Sequence, residues 1–348
     1  MDKLIKVSFV IRTLNEAKTL EEVLRRIQLI QGPYNTEVVI VDSGSTDSTL
    51  QIAENYGTKI LTIPQEHWSW GRALNLGIGQ SSGSVVCLLS GHCFIAQRDF
   101  LINSVPLLEN AEVAAVYGKQ LSIPDVDPFE EYELACWYPD LDYYRMNLDA
   151  LRKGRAIGIS NACCILNKQA WLDTKFDENV EIFEDLDWAF AATNLGYQLV
   201  YSNRFSVYHS HILNLEYTYR KWYWRNYERI KLDSKFLIKF DQKVKRSVKR
   251  IFKKLILKEY LFFKGLMEKK HIKVLVNNKY SFINHNHIKT YLKLRNQAIL
   301  NSFFDFYSGR KSNYWYLEIP KDMEILETDL LEIERCLDKD FNLLPLLN

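Results

Sequence analysis

An α/β fold built on a mostly parallel sheet is the class this sequence predicts, with a mainly helical extension at its C-terminal end. Three observations predict it. Apolar runs of strand length alternate with stretches of helical periodicity from the start of the chain. Those runs are mainly apolar, the fourth entirely so, as strands covered on both faces are. The second of them ends in an acid followed by a Ser/Gly turn, which is how open α/β sheets present ligand groups at their carboxyl edge.

Residues 6–11, Lys-Val-Ser-Phe-Val-Ile, form the first strand. Arg12-Thr13-Leu14-Asn15-Glu16 follows it. Leu20, Val23, Leu24, Ile27 and Ile30 then recur at helical spacing, so a helix is expected from about residue 18 to 30. Residues 38–41 form the second strand, which runs into Asp42-Ser43-Gly44-Ser45-Thr46-Asp47. That loop lacks both the Gly-x-Gly-x-x-Gly of a dinucleotide site and the Gly-Lys-Ser/Thr ending of a phosphate loop. An acid at a strand end suits a ribose or base better than phosphates. The plainer reading is a helix N-cap supplied by Ser45, Thr46 or Asp47.

A third strand is read at residues 59–63. The loop His67-Trp68-Ser69-Trp70 leads into Gly71-Arg72-Ala73-Leu74-Asn75. Residues 85–89 are all apolar, hence a central fourth strand, ending at Ser90-Gly91-His92-Cys93. A helix near residues 99–110 precedes a fifth strand at 113–118. Residues 122–155, rich in Pro, Asp and Tyr, are expected to be irregular. A strand at 162–166 comes before Glu184-Asp185-Leu186-Asp187, which opens a helix. Two strands, 198–201 and 205–211, close the domain, the second carrying Tyr208-His209-Ser210-His211.

With 348 residues, 47% of them hydrophobic, the chain is long enough for one substantial core and an appendage. A net charge of +2 provides no field for nucleic acid, which is not an expected partner. The six cysteines contain no Cys-x-x-Cys, so a reduced, cytoplasmic chain is the simplest reading. No signal peptide is expected from the N-terminal residues, and no apolar run is long enough for a membrane span.

Val-Ile-x-Thr-x-Asn-Glu (residues 10–16) followed by Val-Asp-x-Gly-Ser-Thr-Asp (residues 41–47) resembles the start of the inverting family 2 glycosyltransferases, which have the GT-A fold. The resemblance covers roughly residues 5–225. It implies a catalytic domain at 1–225, with a nucleotide-binding half to about 120 and an acceptor side beyond it, and a helical region at 226–348. It also implies transfer of one sugar from a nucleotide-sugar donor to a hydroxyl of a saccharide or lipid-linked saccharide. Thr13, Asn15, Glu16, Asp42, Ser43, Arg72, Ser90 and Gly91 then fall at the donor. Arg72 suits a diphosphate through its forked donors, though a plain surface arginine fits as well.

Such enzymes typically carry Asp-x-Asp where this chain has Ser90-Gly91-His92. The related polypeptide GalNAc-transferases use Asp-x-His there. A divalent metal, Mn or Mg, is therefore expected on His92 with His209 or His211, imidazole favouring Mn over Mg. The other reading is a lost metal site in which His92 only hydrogen-bonds the diphosphate. Asp185 matches the catalytic base and Glu184 its neighbour in the Glu-Asp motif. Asp187 is an alternative base, and simple acid enrichment at a helix N-terminus is the plainer reading. Leu195-Gly196-Tyr197 stands where processive relatives have Gln-x-x-Arg-Trp, so transfer of a single sugar is implied. In motif detail the chain looks most like bacterial rhamnosyltransferase-like enzymes of surface polysaccharide assembly. The rival readings are a non-catalytic nucleotide- or sugar-binding protein with a degenerate Asp-x-Asp, and a hydrolase on the same donor site.

Beyond residue 218 the composition shifts. Residues 243–256 read as a basic amphipathic helix, which lies either on an anionic membrane surface, at the inner membrane face, or packed on the catalytic domain. Residues 318–340 are acidic and helical by pattern.

Overall fold

The structure is a computed structural model that describes residues 4–123, 128–153, 155–211, 220–225, 227 and 298. Met1–Ile123 and Phe129–His211 form one compact unit; Pro124–Pro128 and Ile212–Asn348 form another, in which residues 220–225 are helical. The basic segment 243–256 and the acidic segment 318–340 lie outside the described residues. Among the described residues no helix is long and apolar enough to cross a membrane.

The first unit runs β1 (Ile5–Thr13), α1 (Leu20–Gln28), β2 (Tyr34–Asp42), α2 (Thr49–Asn55), β3 (Lys59–Thr62), α3 (Trp70–Gln80) and β4 (Val85–Ser90). It continues with β5 (Phe94–Ile95), α4 (Phe100–Ser104), β6 (Val113–Leu121), α5 (Pro128–Trp137), β7 (Tyr144–Met146) and α6 (Leu148–Arg152). β8 (Cys164–Asn167), α7 (Lys168–Asp173), α8 (Glu184–Asn194) and β9 (Gln198–Tyr208) complete it. The strands join one sheet in the order β3-β2-β1-β4-β8-β6-β9-β5, with β7 paired to β9. β3, β2, β1 and β4 are parallel; β8 enters antiparallel between β4 and β6, and β6 pairs parallel with β9.

The parallel half follows from composition. Val7, Phe9, Val10 and Ile11 in β1 and Val86, Cys87, Leu88 and Leu89 in β4 are fully buried. Each aliphatic side chain removed from water contributes about 1.5–3 kcal/mol. Helix α1 buries Leu20, Val23, Leu24 and Ile27 on one face. Helix α3 lies close against β1 and β2 because Gly77 presents no side chain; a Cβ there would come within 2.4 Å of Val10 and 2.9 Å of Val41. Running back along the sheet, α3 has its N-terminus, and so Trp70, at the carboxyl edge of the strands.

Three expectations are corrected. The helix expected at 99–110 stops at Ser104 and continues as a 3₁₀ turn, Val105–Leu108, because Pro106 has no N–H for the α-helical ladder. The two closing strands are one, β9, which bulges between Ser202 and Ser206 opposite Gly118–Lys119. Asn203, whose N–H bonds the Leu141 carbonyl at 2.9 Å, therefore reads locally as loop but belongs to the ladder's path. The region expected to be irregular holds α5, β7 and α6.

Glu37 fastens the opposite edge. Its carboxylate accepts hydrogen bonds from the Ser8 hydroxyl (2.6 Å), Ser82 N–H (2.6 Å) and Ser82 hydroxyl (2.8 Å), and pairs with Lys6 at 2.9 Å. Burial acts to raise its pKa, but these donors outweigh it and hold the group at about 2. A depressed carboxyl stabilises the fold above its unfolded pKa, and that stability is lost as pH falls toward 2. Glu37→Gln is expected to cost about 1–3 kcal/mol in urea unfolding at neutral pH. The gap to wild type should narrow as pH drops from 4.5 toward 2; a gap independent of pH would show that the carboxylate charge is not what matters.

Candidate active site

Two loops at the carboxyl edge are zipped together around Asp42. Its carboxylate accepts from the Thr13 hydroxyl (2.9 Å), the N–H groups of Gly44 (2.9 Å) and Ser45 (2.8 Å), and the Ser45 hydroxyl. A side chain only 1% exposed must satisfy its charge internally, and this one does so with four donors. Ser43 is also buried, its hydroxyl donating to the Thr13 carbonyl at 3.1 Å. Asn15 sits at φ 54°, an orientation asparagine tolerates, and from there its Oδ1 accepts from Thr46 N–H at 2.8 Å. Asp47, rather than Ser45 or Thr46, accepts the Thr49 N–H at the start of α2 and also reaches Ala17 N–H. Among the residues expected at a donor, Thr13, Asn15, Asp42 and Ser43 thus build the loop pair itself.

Glu16 has a different task. Its Oε1 lies 2.7 Å from Nδ1 of His92, and its Oε2 accepts from the Thr19 hydroxyl at 2.9 Å. Gly91 makes this approach possible, since a Cβ there would come within 2.8 Å of Glu16 Cγ. Ser90, at the end of β4, lies beside Arg12 in register. His209 and His211 stand just beyond β9, and their rings lie 5.0 and 5.1 Å from that of His92. Ligand atoms of all three fall within 4.8 Å of one another.

The hydrogen bonds decide the tautomers. Glu16 offers an acceptor, so His92 Nδ1 carries the proton. His209 Nδ1 lies 2.7 Å from Gln120 Oε1, whose amide NH₂ in turn donates to the Tyr138 hydroxyl at 2.7 Å, so His209 Nδ1 is also the protonated nitrogen. The two rings face each other with their Nε2 atoms 3.1 Å apart. That separation is met by one proton shared between the rings or by a cation bound to both. Glu16 and Gln120 each place an oxygen 2.7 Å from a ring Nδ1, the arrangement in which metal-bound histidines are commonly held. An all-imidazole set suits Mn, Zn or Fe better than Mg. On the His211 side, Glu130 accepts that residue's backbone N–H at 2.8 Å.

The acids at the head of α8 are sorted by burial. Glu184 is buried, with Oε1 accepting from Arg12 Nη1 at 3.2 Å and Asn161 Nδ2 at 3.3 Å. Asp187 is 3% exposed. Asp185 is partly exposed. Phe183 precedes them in the left-handed region at φ 70°, a cost of about 1–2 kcal/mol for a non-glycine residue. Beneath lies Tyr117, whose phenol is pushed well above its ordinary pKa by burial first, then by Cys164, Asp185 and Glu184. Arg72 is engaged elsewhere. Its Nε bonds Glu178 at 2.9 Å and its Nη1 donates to the His67 carbonyl at 2.6 Å. Arg72, with Asn75, holds the Glu178 carboxyl below the usual range. Gly71 admits the Asp177 carbonyl, which would stand 2.6 Å from a Cβ; the N-cap of α3 is Ser69.

Residues 8–172 match the family model described as Glycosyl transferase family 2. Over these residues the chain belongs to that family. It is 25% identical over 211 residues to the O-antigen chain rhamnosyltransferase RfbN of Salmonella typhimurium, covering 60% of this chain and 67% of that one. It is 26% identical over 179 residues to the O-antigen chain rhamnosyltransferase WbaN of Salmonella anatum, covering 51% and 57%. The chain thus spans from little more than half to two thirds of the length of these relatives. The mannosyltransferase PcManGT of Pyrobaculum calidifontis, solved with GDP-Man and Mn2+, superposes with a TM-score of 0.56 at 15% identity, covering 89% of each chain. The fold of the family 2 domain is GT-A.

Within this family 2 domain, sequence reasoning missed four residues that organise the site. Arg12 grips Glu184, Asn161 supports it, Gln120 orients His209, and Glu130 anchors His211. Arg12 carried one usable signal, a cation directly after the apolar run at residues 9–11. Gln120, Glu130 and Asn161 carried none.

Proposed function

We propose that this chain is an inverting, nucleotide-sugar-dependent glycosyltransferase that moves one hexosyl or deoxyhexosyl unit to a hydroxyl of a saccharide or lipid-linked saccharide in surface polysaccharide or glycoconjugate assembly. Family membership and the rhamnosyltransferase relatives support the class. The observation that carries the mechanism is the head of α8. Of its first-turn acids Glu184, Asp185 and Asp187, Asp185 alone escapes burial.

In this reading Asp185 takes the acceptor hydroxyl proton. The oxygen forms its bond to the anomeric carbon as the carbon–oxygen bond to the diphosphate breaks on the opposite face. The nucleoside diphosphate leaves with the electron pair. Glu184, pinned by Arg12 and Asn161, holds the helix head in place. His92, His209 and His211 would hold a divalent cation, which when bound supplies positive charge to the departing diphosphate. Glu16 and Gln120 orient the rings through Nδ1 so that their Nε2 atoms face each other. The loop pair around Asp42 shapes the nucleoside side of the crevice.

The test is thermal stabilisation by a panel of nucleoside-diphospho-sugars spanning uracil, thymine and guanine bases, each with and without Mn. One or a few members should raise the melting temperature, and Mn should enlarge the shift. No shift from any member would sink the transferase reading; a shift without transfer to any acceptor or water would favour a binding protein.

A further inference from the structure

We propose that Trp70, clamped by Arg12, is the seat of the sugar ring being transferred, and so a specificity-determining residue. The inference rests on the transferase reading and deepens it. Trp70 is the first residue of α3, at the carboxyl edge of the sheet, and is 37% exposed. It is not a loose surface ring. The Arg12 guanidinium lies over it at 4.6 Å, and Trp68 packs edge-on at 4.4 Å and 75°. The Ser69 cap on Arg72 N–H (3.2 Å) and the Arg72 bond to the His67 carbonyl fix the backbone on either side. An indole held rigid while still open is a flat apolar surface with no ordering cost at binding.

Arg12 ties that surface to the reacting centre. The same guanidinium bonds Glu184, the neighbour of Asp185. Arg12 is 8% exposed, yet its Nε–H has no acceptor among the described residues. A buried donor left open is uncommon and calls for a partner. A neutral hexopyranose offers a C–H face to the indole and hydroxyl oxygens to the outer rim of the guanidinium, whose Nε is itself closed to solvent. The position next to Glu184, on the nucleotide-binding half, favours the donor's sugar over the acceptor.

Calorimetry on the full chain tests this, using the tightest-binding nucleotide-sugar of the panel and the matching nucleoside diphosphate alone. Trp70→Ala should weaken the nucleotide-sugar by about tenfold or more and leave the nucleoside diphosphate within about twofold. Trp70→Phe should keep nucleotide-sugar affinity within about threefold of wild type, since a flat ring remains. If Trp70→Ala weakens both probes equally, the indole serves the nucleotide or the loop, and the seat is wrong. If it weakens neither, the sugar lies elsewhere. If the wild-type chain binds neither probe, the transferase reading fails, and the seat with it.

Discussion

Asp185→Asn is expected to lower turnover by at least about a hundredfold, equivalent to about 2.7 kcal/mol of transition-state stabilisation. The amide cannot take the acceptor proton, while its shape preserves the Oδ1 contact that accepts Leu186 N–H at 2.7 Å. Affinity for the nucleotide-sugar should change little, because the base faces the acceptor. Comparing kcat with donor Kd separates the two. Near-normal turnover would remove Asp185 from the role. Asp187 would then need to open, since at 3% exposure it has no access to an acceptor as the helix stands.

The second large effect concerns the imidazoles. His92→Ala and His209→Ala should each abolish the stimulation of activity by Mn, and isothermal titration with Mn alone should show at least about a tenfold loss of affinity. Glu16→Gln should retain a weaker response, because the amide oxygen can still accept from His92 Nδ1. Ligation needs an unprotonated nitrogen, so Mn binding should weaken as pH falls. Mn or another imidazole-tolerant ion should outperform Mg. Full activity in strong chelator would show a metal-free reaction. The leaving charge would then fall to Arg72, released from its exposed pair with Glu178, to His92 or to an unassigned cation.

These tests bear on a site whose parts were unequally legible. His92, His209 and His211 stood out as residue types at strand ends, and they lie together. Glu184, Asp185 and Asp187 stood out as acids opening a helix, but sequence alone ranked them only by resemblance. Burial ranks them physically, because the turn of α8 directs Glu184 and Asp187 inward and leaves Asp185 partly open. Asp42 was legible as a polar strand end. Its four internal donors were not, since they depend on how the second loop closes on the first.

By itself the sequence determined the strand–helix alternation, the parallel half of the sheet and the family signature. Those depend on periodicity and turn chemistry among residues a few positions apart, such as the apolar runs at residues 9–11 of β1 and 85–89 of β4. The tertiary structure decided which side chains meet. Glu16 finds His92 across 76 positions, Gln120 finds His209 across 89, and Arg12 finds Glu184 across 172. No local pattern encodes such pairs. They arise because β1, β4, β6 and β9 bring their carboxyl ends to one edge of the sheet, where a buried charge or an imidazole must find its partner among whatever the fold has placed there.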